Sequence, residues 1–270
     1  MSPLTLRDAR VAACARGSMP SVAERCRRRG RALPVALLFA LSGIAMATDY
    51  YVNGTAGNNA YDGLTQTWDG VHGPKQTIQA AINTASSGDT ITVAQGTYAA
   101  AITFGGRNIT LRSTAPTNWA VVCATVINGG GTQGGTQATA VTFNSGETAS
   151  AVLTGFTITT VSGRGISCSG ASPVIRSCRI TGNSSYTGGG FSLSSSSAVI
   201  RNCLIYGNFT GMNGAGGVFS QSGNPTIDNC TIAGNSCGAG GAFAGGVGVS
   251  TGSATVRNCI LWGNTRNGTS

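Results

Sequence analysis

Short apolar segments separated by polar residues recur at regular intervals in the last hundred residues of the chain. One nine-residue phrase occurs in four copies. Each copy contains, in order, an aliphatic residue, two polar residues, a cysteine, a variable residue, a second aliphatic residue, another variable residue, glycine and asparagine. Alternate side chains of a strand face the same way, so the cysteine and the second aliphatic residue face inward together. The spacings of 25, 27 and 29 residues predict a solenoid with one unit per turn. The repeated cysteines are Cys178, Cys203, Cys230 and Cys259.

The spacing within the phrase also predicts a bend before each cysteine. In the first copy Ile175 and Ile180 are an odd number of residues apart, so both face the interior only if the chain turns between them. Asparagine tolerates the left-handed conformation that a tight bend requires, and a Gly-Asn pair closes each phrase with a second turn. We expect coils that stack through parallel hydrogen bonds, with columns of identical residues. The bend residues are Ser177, Asn202, Asn229 and Asn258.

Glycine-rich strands lie between the phrases, at residues 188–193, 216–219 and 240–243. Together with the phrases they resemble the repeats of right-handed parallel β-helix proteins of the pectin-lyase-like superfamily. Residues 50–98 are similar to the N-terminal part of a large group of secreted bacterial β-helix proteins, many of unknown function. The resemblance implies an all-β fold, a right-handed parallel β-helix, over nearly everything from residue 50 onward. It implies no single activity, because the superfamily contains lyases, hydrolases, adhesins and proteins without known activity.

The segment before the repeats has the pattern of one short amphipathic helix. Ile78, Ala81, Ile82 and Ala85 follow one another at helical spacing, and Gly88 is suited to end the helix. An open end of a solenoid exposes core residues and unpaired strand edges. We therefore expect a short N-terminal capping helix across the first coil.

The first residues have the pattern of an export signal. An arginine-rich stretch at 27–31 precedes an apolar run at 33–44, and Ala-Met-Ala at 45–47 supplies small residues for cleavage before Thr48. Translation from Met19 is an alternative start, since the charged region is otherwise long. The apolar run is too short to span a membrane comfortably, so we expect a secreted or cell-surface protein with no transmembrane segment in the mature chain.

The expected organisation has three parts. The sequence stops soon after a Gly-Asn turn, without a polar or helical closing segment, and from this we expect a fragment that is truncated at its C-terminus. The parts are a signal peptide at 1–47, an N-terminal capping segment at 48–90 and β-helix coils at 91–270.

The formal net charge of +9 at first suggests a nucleic-acid partner, but its distribution argues against one. Eight of the 17 basic residues precede residue 32. After removal of residues 1–47, nine basic residues face six acidic ones, which leaves a net charge of +3. This is an ordinary surface charge, so we expect no nucleic-acid binding.

Seven cysteines remain after the predicted cleavage. Four of them stack at one inward position, where parallel side chains lie near the strand spacing of about 4.8 Å rather than the roughly 3.8 Å between the Cβ atoms of a disulfide. We therefore expect a buried column of reduced thiols. Cys168 and Cys237 lie outside this column, and both a disulfide between them and two separate thiols stay open. A zinc site is not expected, because no Cys-x-x-Cys motif occurs and the sole histidine is His72.

The carboxylates of the mature region do not form a catalytic pattern. The resemblance implies that a lyase would need clustered carboxylates with calcium and a basic residue, and that a hydrolase would need two or three close aspartates. Residues 58–63 resemble an acidic turn of relatives, but Asn59 stands where aspartate is usual, so we favour a plain Asx turn over a calcium site. We predict no catalytic residue, no metal and no cofactor. The carboxylates are Asp49, Asp62, Asp69, Asp89, Glu147 and Asp228.

Outward-facing residues of the repeats are the candidate binding surface. Arginines beside aromatic rings can hold an anionic sugar chain by carboxylate pairing and ring stacking. The alternative is a surface ladder of alternating charge, which contributes little to binding or stability. One predicted column contains Arg176, Arg201, Asp228 and Arg257 with Thr154 before it, a second begins at Arg179, and a third contains Thr181, Tyr206, Ala233 and Trp262.

Three functions are compatible with these patterns. We favour a secreted or cell-surface β-helix that is carbohydrate-binding or adhesive and recognises a polysaccharide or a cell-surface glycan. The alternative is a polysaccharide lyase or glycoside hydrolase whose active site lies in coils beyond residue 270. The third is a passive stalk, whose role is length and resilience.

Overall fold

The structure is a computed structural model that describes residues 46–131, 138–238 and 244–266. Most of the predicted signal peptide, residues 1–45, lies outside the described residues, as does the glycine-rich strand predicted at 240–243. The described residues belong to one compact unit. The first described residues, at 46–48, are irregular and lead into the first strand.

Nearly every element is a short strand that pairs in parallel with the equivalent strand of the next coil. The described strands form four sheets, lettered A to D. Sheet A contains β1 (Asp49–Val52), β2 (Thr90–Val93), β5 (Thr110–Ser113), β8 (Val152–Thr154), β11 (Val174–Arg176), β15 (Val199–Arg201), β19 (Thr226–Asp228) and β23 (Thr255–Arg257). Sheet B contains β3 (Gly96–Tyr98), β6 (Thr125–Asn128), β9 (Thr157–Thr159), β12 (Arg179–Thr181), β16 (Leu204–Tyr206), β20 (Thr231–Ala233) and β24 (Ile260–Trp262).

The remaining two sheets complete the coil. Sheet C contains β4 (Ile102–Thr103), β7 (Ala138–Phe143), β10 (Gly163–Ser169), β14 (Phe191–Ser194), β18 (Val218–Ser220) and β22 (Val247–Val249). Sheet D contains β13 (Ser184–Thr187), β17 (Phe209–Asn213), β21 (Ser236–Cys237) and β25 (Thr265–Arg266). The all-β parallel solenoid expected from the repeat is confirmed.

Sheets A and B meet at the predicted bends. The residue before each repeated cysteine has a φ between 51° and 54°, in the left-handed region that few residues other than glycine and asparagine adopt readily. A single left-handed residue lets the strand of sheet A turn sharply into the strand of sheet B, so that aliphatic residues on both sides of the bend face inward. The prediction is confirmed at Ser177, Asn202, Asn229 and Asn258.

The interior contains columns of like residues, as the strand alternation predicts. Ile175, Cys178 and Ile180 are all fully buried, and Ile175 lies in register with its equivalent in the next coil. The thiol of Cys178 donates to the carbonyl of Arg176 at 3.2 Å, a contact that the following cysteines repeat. The expected column of thiols is present, with Cys259 half-buried at one end. Outside it, Cys168 in β10 and Cys237 in β21 occupy different sheets, and Cys168 is a buried thiol.

The asparagines that close the phrases form a buried hydrogen-bonded ladder, a role that the sequence analysis did not assign to them. The Oδ1 atom of Asn208 accepts from the backbone N–H and the Nδ2 of Asn183 at 3.1 and 2.8 Å. In turn, the backbone N–H and the Nδ2 of Asn208 donate to Asn235 Oδ1 at 3.0 and 2.9 Å. The Nδ2 of Asn208 also donates to the carbonyl of Ile180. The side chain of Asn208 therefore ties three successive coils together.

The predicted capping helix is present as α1 (Ile78–Thr84). The hydroxyl of Thr77 accepts from the N–H of Ala80 at 3.3 Å and caps the helix, and the buried face contains Ile78, Ala81 and Ile82. The helix packs against β1, β2 and β4 at the first coil, where it covers core residues that the stack leaves open at that end.

A second helix, α2 (Trp119–Ala124), was not predicted. It lies in an excursion after β5, and only Val122 is buried, so the sequence has no apolar stripe to reveal it. The hydroxyl of Thr157 donates to the carbonyl of Val122 at 2.9 Å, which fixes the excursion over the bend between β8 and β9. Neither helix in the described part of the chain has the length and apolarity needed to cross a bilayer.

The asparagine ladder predicts a large loss of stability on Asn208→Ala. The change removes the acceptor of the backbone N–H of Asn183, one acceptor of its Nδ2 group and one donor to the carbonyl of Ile180, all inside the core. We expect the free energy of unfolding to fall by about 2–4 kcal/mol in chemical denaturation followed by circular dichroism. Asn202→Gly on the same coil is the matched control, because glycine accepts the left-handed bend and the loss should stay within about 1 kcal/mol. Equal losses in the two variants would contradict a special role of the ladder.

Candidate functional site

The structure brings the predicted charged column together on the outer face of sheet A. Arg176 lies in register with Arg201, Arg201 with Asp228, and Asp228 with Arg257. The three arginines are exposed and Asp228 is half-buried. Thr154 precedes Arg176 in register as expected, but it is buried, next to the point where Pro116 of the excursion that carries α2 packs against Gly155. We call Arg176, Arg201, Asp228 and Arg257 the arginine column.

One half of the arginine column is neutralised and the other is not. Asp228 accepts from Arg257 Nη2 at 3.0 Å and from Asn258 Nδ2 at 3.0 Å. The pKa of Asp228 is lowered, first by the hydrogen bond from Asn258 and then by the hydrogen bond and charge of Arg257. Within the described ranges, Arg176 and Arg201 have no carboxylate within ion-pair distance. These two adjacent guanidinium groups are therefore the part of the column that no contacting carboxylate neutralises among the described residues.

A second cluster lies across the bend, on the outer face of sheet B. The guanidinium carbon of Arg179 lies 5.1 Å from the ring centroid of Tyr206, and Arg179 Nη2 donates to the phenol oxygen. The pKa of Tyr206 is lowered by its hydrogen bond with Thr181 and then by the one from Arg179. The arginine and the ring therefore support each other through a cation–π contact, with one face of Tyr206 already occupied.

The third predicted column is also in register. Thr181 pairs with Tyr206, Tyr206 with Ala233, and Ala233 with Trp262. Two rungs separate Tyr206 from Trp262, which is about 10 Å at the usual strand spacing. Trp262 is 77% exposed, so its indole is the free aromatic surface of this face. The arginine column and this aromatic column lie on adjacent sheets, on the two sides of the asparagine bends.

Two of the six carboxylates that the sequence singled out are structural groups. Asp89 accepts from the N–H groups of Thr48 and Ser86, both at 2.8 Å. Glu147 accepts from Gly106 and Ser145, both at 2.9 Å. Both carboxylates are buried, and their oxygens hold turns between strands. No cluster of three or more potential metal ligands occurs in the described residues.

The N-terminal turn at residues 58–63, which resembles an acidic turn of relatives, is built from Asx turns. Asn58 Oδ1 accepts from the N–H of Ala60 at 2.9 Å, and Asp62 Oδ1 accepts from the N–H of Leu64 at 3.0 Å. Asn59 Oδ1 accepts from Thr77 and so helps to begin α1. These side-chain oxygens satisfy backbone donors, as the preferred Asx interpretation predicts.

A cleft that the sequence analysis missed lies on the outside of sheet C. It has a volume of about 460 Å³ and contains none of the predicted site residues. Its walls come from the ends of β13 and β17, from β18 and from the turns after β18 and β22, so no single motif reveals it. The lining residues are Thr187, Asn213, Phe219, Gln221 and Ser250.

The family profile described as "Right handed beta helix region" matches residues 126–270, more than half of the chain. The chain belongs to the right-handed β-helix family. The predicted resemblance is therefore confirmed at the level of the fold, and the solenoid of this β-helix winds with the right hand. No curated protein matches the chain. The match to the β-helix family covers both the arginine column and the aromatic column.

The contact between Asp62 and His72 predicts a pH-dependent stability of the N-terminal loop. Hydrogen bonding to His72 lowers the pKa of Asp62 to about 2, and the same bond raises the pKa of His72. The contribution of His72 to the free energy of unfolding is full below about pH 6.5 and is lost as the pH rises through its raised pKa. The contribution of Asp62 is full above about pH 3.9 and is lost as the pH falls towards 2.

We therefore expect the melting temperature to be highest between about pH 4 and about pH 6.5 as far as this pair is concerned. Thermal melts of the wild type and of His72→Gln across this range measure the effect. The variant should lose the decline of melting temperature above neutral pH. An identical decline in both proteins would show that the pair contributes nothing.

Proposed function

We propose that this β-helix is an exported binding protein that holds an anionic polysaccharide against the arginine column. The observation that carries the proposal is the register of Arg176 beside Arg201, two exposed guanidinium groups with no carboxylate at contact distance among the described residues. Like charges in adjacent rungs repel each other, and a bound anion removes this repulsion. Planar guanidinium groups pair well with the carboxylates of a uronate polymer.

The neighbouring aromatic column supports a carbohydrate ligand over a simple anion. Trp262 offers an exposed indole, and Arg179 is held against Tyr206 beside the arginine column. A sugar chain has both apolar ring faces and, in a uronate polymer, carboxylates. A surface with rings on one sheet and guanidinium groups on the next can contact both.

Asp228 limits the affinity of the arginine column for a polyanion. Its carboxylate pairs with Arg257 at 3.0 Å and lies in register with Arg201, so it offsets part of the positive field of the arginine column. A polyanion must compete with this carboxylate for Arg257. The proposal therefore predicts that removal of the acid strengthens binding, a result that loss of folding cannot imitate.

Variants of the arginine column test binding to polygalacturonate by isothermal titration calorimetry. Arg176→Ala/Arg201→Ala should weaken binding about tenfold, since each exposed charge pair contributes up to about 1 kcal/mol, and Asp228→Asn should tighten it. The effect of the arginines should diminish as salt is added. Arg164→Gln/Arg266→Gln removes the same number of charges on sheets C and D, away from the arginine column, and should leave the affinity unchanged.

Two results would end the proposal. The first is an affinity that does not change in the arginine-column variants, and the second is an equal loss in the control pair. Depolymerisation of polygalacturonate by the wild type, with or without calcium, would instead favour catalysis over binding.

Export with cleavage before Thr48 is the other half of the proposal. The sequence supports it through the charged stretch, the apolar run and the small residues at 45–47. Met46 and Ala47 are exposed and lie outside every strand, so cleavage after Ala47 removes no element of the solenoid.

Intact-mass measurement of the chain recovered from the exported fraction of a bacterial host tests the processing. We expect a single product whose first residue is Thr48. Recovery of the full-length chain from the cytoplasmic fraction alone would contradict export. A product that begins at another residue would contradict the cleavage position.

A further inference from the structure

The first residue after the proposed cleavage position is fixed in the structure. The N–H of Thr48 donates to Asp89 Oδ1 at 2.8 Å, and the carbonyl of Thr48 accepts from the N–H of Thr90 at 3.0 Å. Met46 and Ala47 are exposed. The main chain is therefore anchored from Thr48 onward, with its nitrogen directed at a carboxylate.

That carboxylate is buried and lacks a cationic partner. Asp89 is only 6% exposed, and its other oxygen accepts from the N–H of Ser86 at 2.8 Å. The ion pairs of the described part of the chain are Asp62 with His72 and Asp228 with Arg257, so no cationic side chain among those residues neutralises Asp89. A buried carboxylate without a cation is costly, even when backbone N–H groups bond to it.

Signal-peptide removal supplies a cation at this position. Hydrolysis of the bond between Ala47 and Thr48 by a signal peptidase consumes one water molecule. Ala47 keeps the new carboxylate, and the freed amine of Thr48 takes up a proton and becomes an α-ammonium group at neutral pH. The nitrogen that donated as a neutral amide then carries a full charge, next to a carboxylate that already lies within hydrogen-bond distance.

We infer that Asp89 is the receptor for the Thr48 α-ammonium group, so that processing adds a partly buried ion pair to the first rung of the solenoid. The inference rests on the proposed export and deepens it. Charge-assisted hydrogen bonds are roughly twice as strong as neutral ones. The mature chain is therefore held more firmly at β1 than the precursor.

The position of the cut decides whether the pair forms. A chain that begins one residue earlier keeps the neutral amide of Thr48 and places its charge on Ala47, which is exposed. A chain that begins one residue later lacks the nitrogen that bonds to Asp89. Consecutive Cα atoms are about 3.8 Å apart, so neither alternative terminus replaces the observed contact without a shift of the chain.

Other charged groups surround this pair. Asp49 follows Thr48 in the chain, and the pKa of Tyr50 is raised first by burial and then by the charges of Asp89 and Asp62. Arg107 lies on the other side of the turn, where its Nε donates to the carbonyl of Ala85 at 3.1 Å. The two carboxylates next to Thr48, those of Asp89 and Asp49, favour the charged form of its amine.

The reactivity of the terminal amine tests the inference directly. The exported protein is acylated over a range of pH, and the labelled fraction is read by mass. An unpaired α-amino group has its reactivity midpoint near pH 8; we expect a midpoint at least about one unit higher in the wild type and a return towards pH 8 in Asp89→Asn. The sole lysine, Lys75, is buried and is distinguished by peptide mapping.

Stability supplies the second readout. Transamination with pyridoxal phosphate replaces the α-amine by a ketone and spares lysine. It should lower the melting temperature of the wild type by about 2–4 °C near neutral pH and that of Asp89→Asn much less. Because pairing raises the pKa of the amine, this difference is full below about pH 8 and is lost as the pH rises through the higher value.

A midpoint near pH 8 in the wild type, or equal effects of transamination in the two proteins, would overturn the inference. If Asp89→Asn does not fold, the wild-type midpoint alone decides. If the exported chain is not cut before Thr48, the processing proposal fails; a site-specific protease sequence placed before Thr48 in the full chain then creates the same terminus, and the receptor role is tested separately.

Discussion

Parallel hydrogen bonding between successive rungs is the constraint on which the structure depends. It places each residue beside its equivalent in the next coil, so one favourable choice of side chain is repeated along the whole stack. The buried asparagines show the benefit, because the side-chain oxygen of each accepts from the equivalent asparagine of the preceding coil. The same rule places Arg176 beside Arg201, where repetition produces repulsion instead. A stacked fold therefore repeats favourable and unfavourable side-chain contacts alike from coil to coil.

Most of the fold could be predicted because its signals are local. The odd interval between Ile175 and Ile180 requires a bend, and the spacing of Ile78, Ala81 and Ile82 is helical without reference to any other part of the chain. Helix α2 gave no such signal. Its single buried residue, Val122, has meaning only beside Thr157, which lies 35 residues later. Contacts of this kind depend on how the excursion folds back onto the solenoid, and the local pattern of apolar and polar residues does not predict that.

The candidate surface was predictable in its columns and not in its pairings. Register follows from the repeat, so the neighbours of Arg176 and Tyr206 could be derived from strand alternation. The partner of each side chain could not. Asp228 selects Arg257 and Asn258 on one side of the column, and Arg179 reaches across to the ring of Tyr206. These choices decide which groups of the surface stay available to a ligand, and they depend on side-chain conformations that the repeat leaves open.

The repeats grow from 25 to 27 to 29 residues, yet sheets A and B keep strict register through all four. The additional residues all fall between the Gly-Asn turn and the next strand of sheet A. Because the entropy of closing a loop rises only slowly with its length, such additions cost the fold little. The part of each coil between the Gly-Asn turn and the next strand of sheet A can thus vary in length from coil to coil, while the bend between sheets A and B is held constant. Sequence change can remodel the variable part without disturbing the register of sheets A and B.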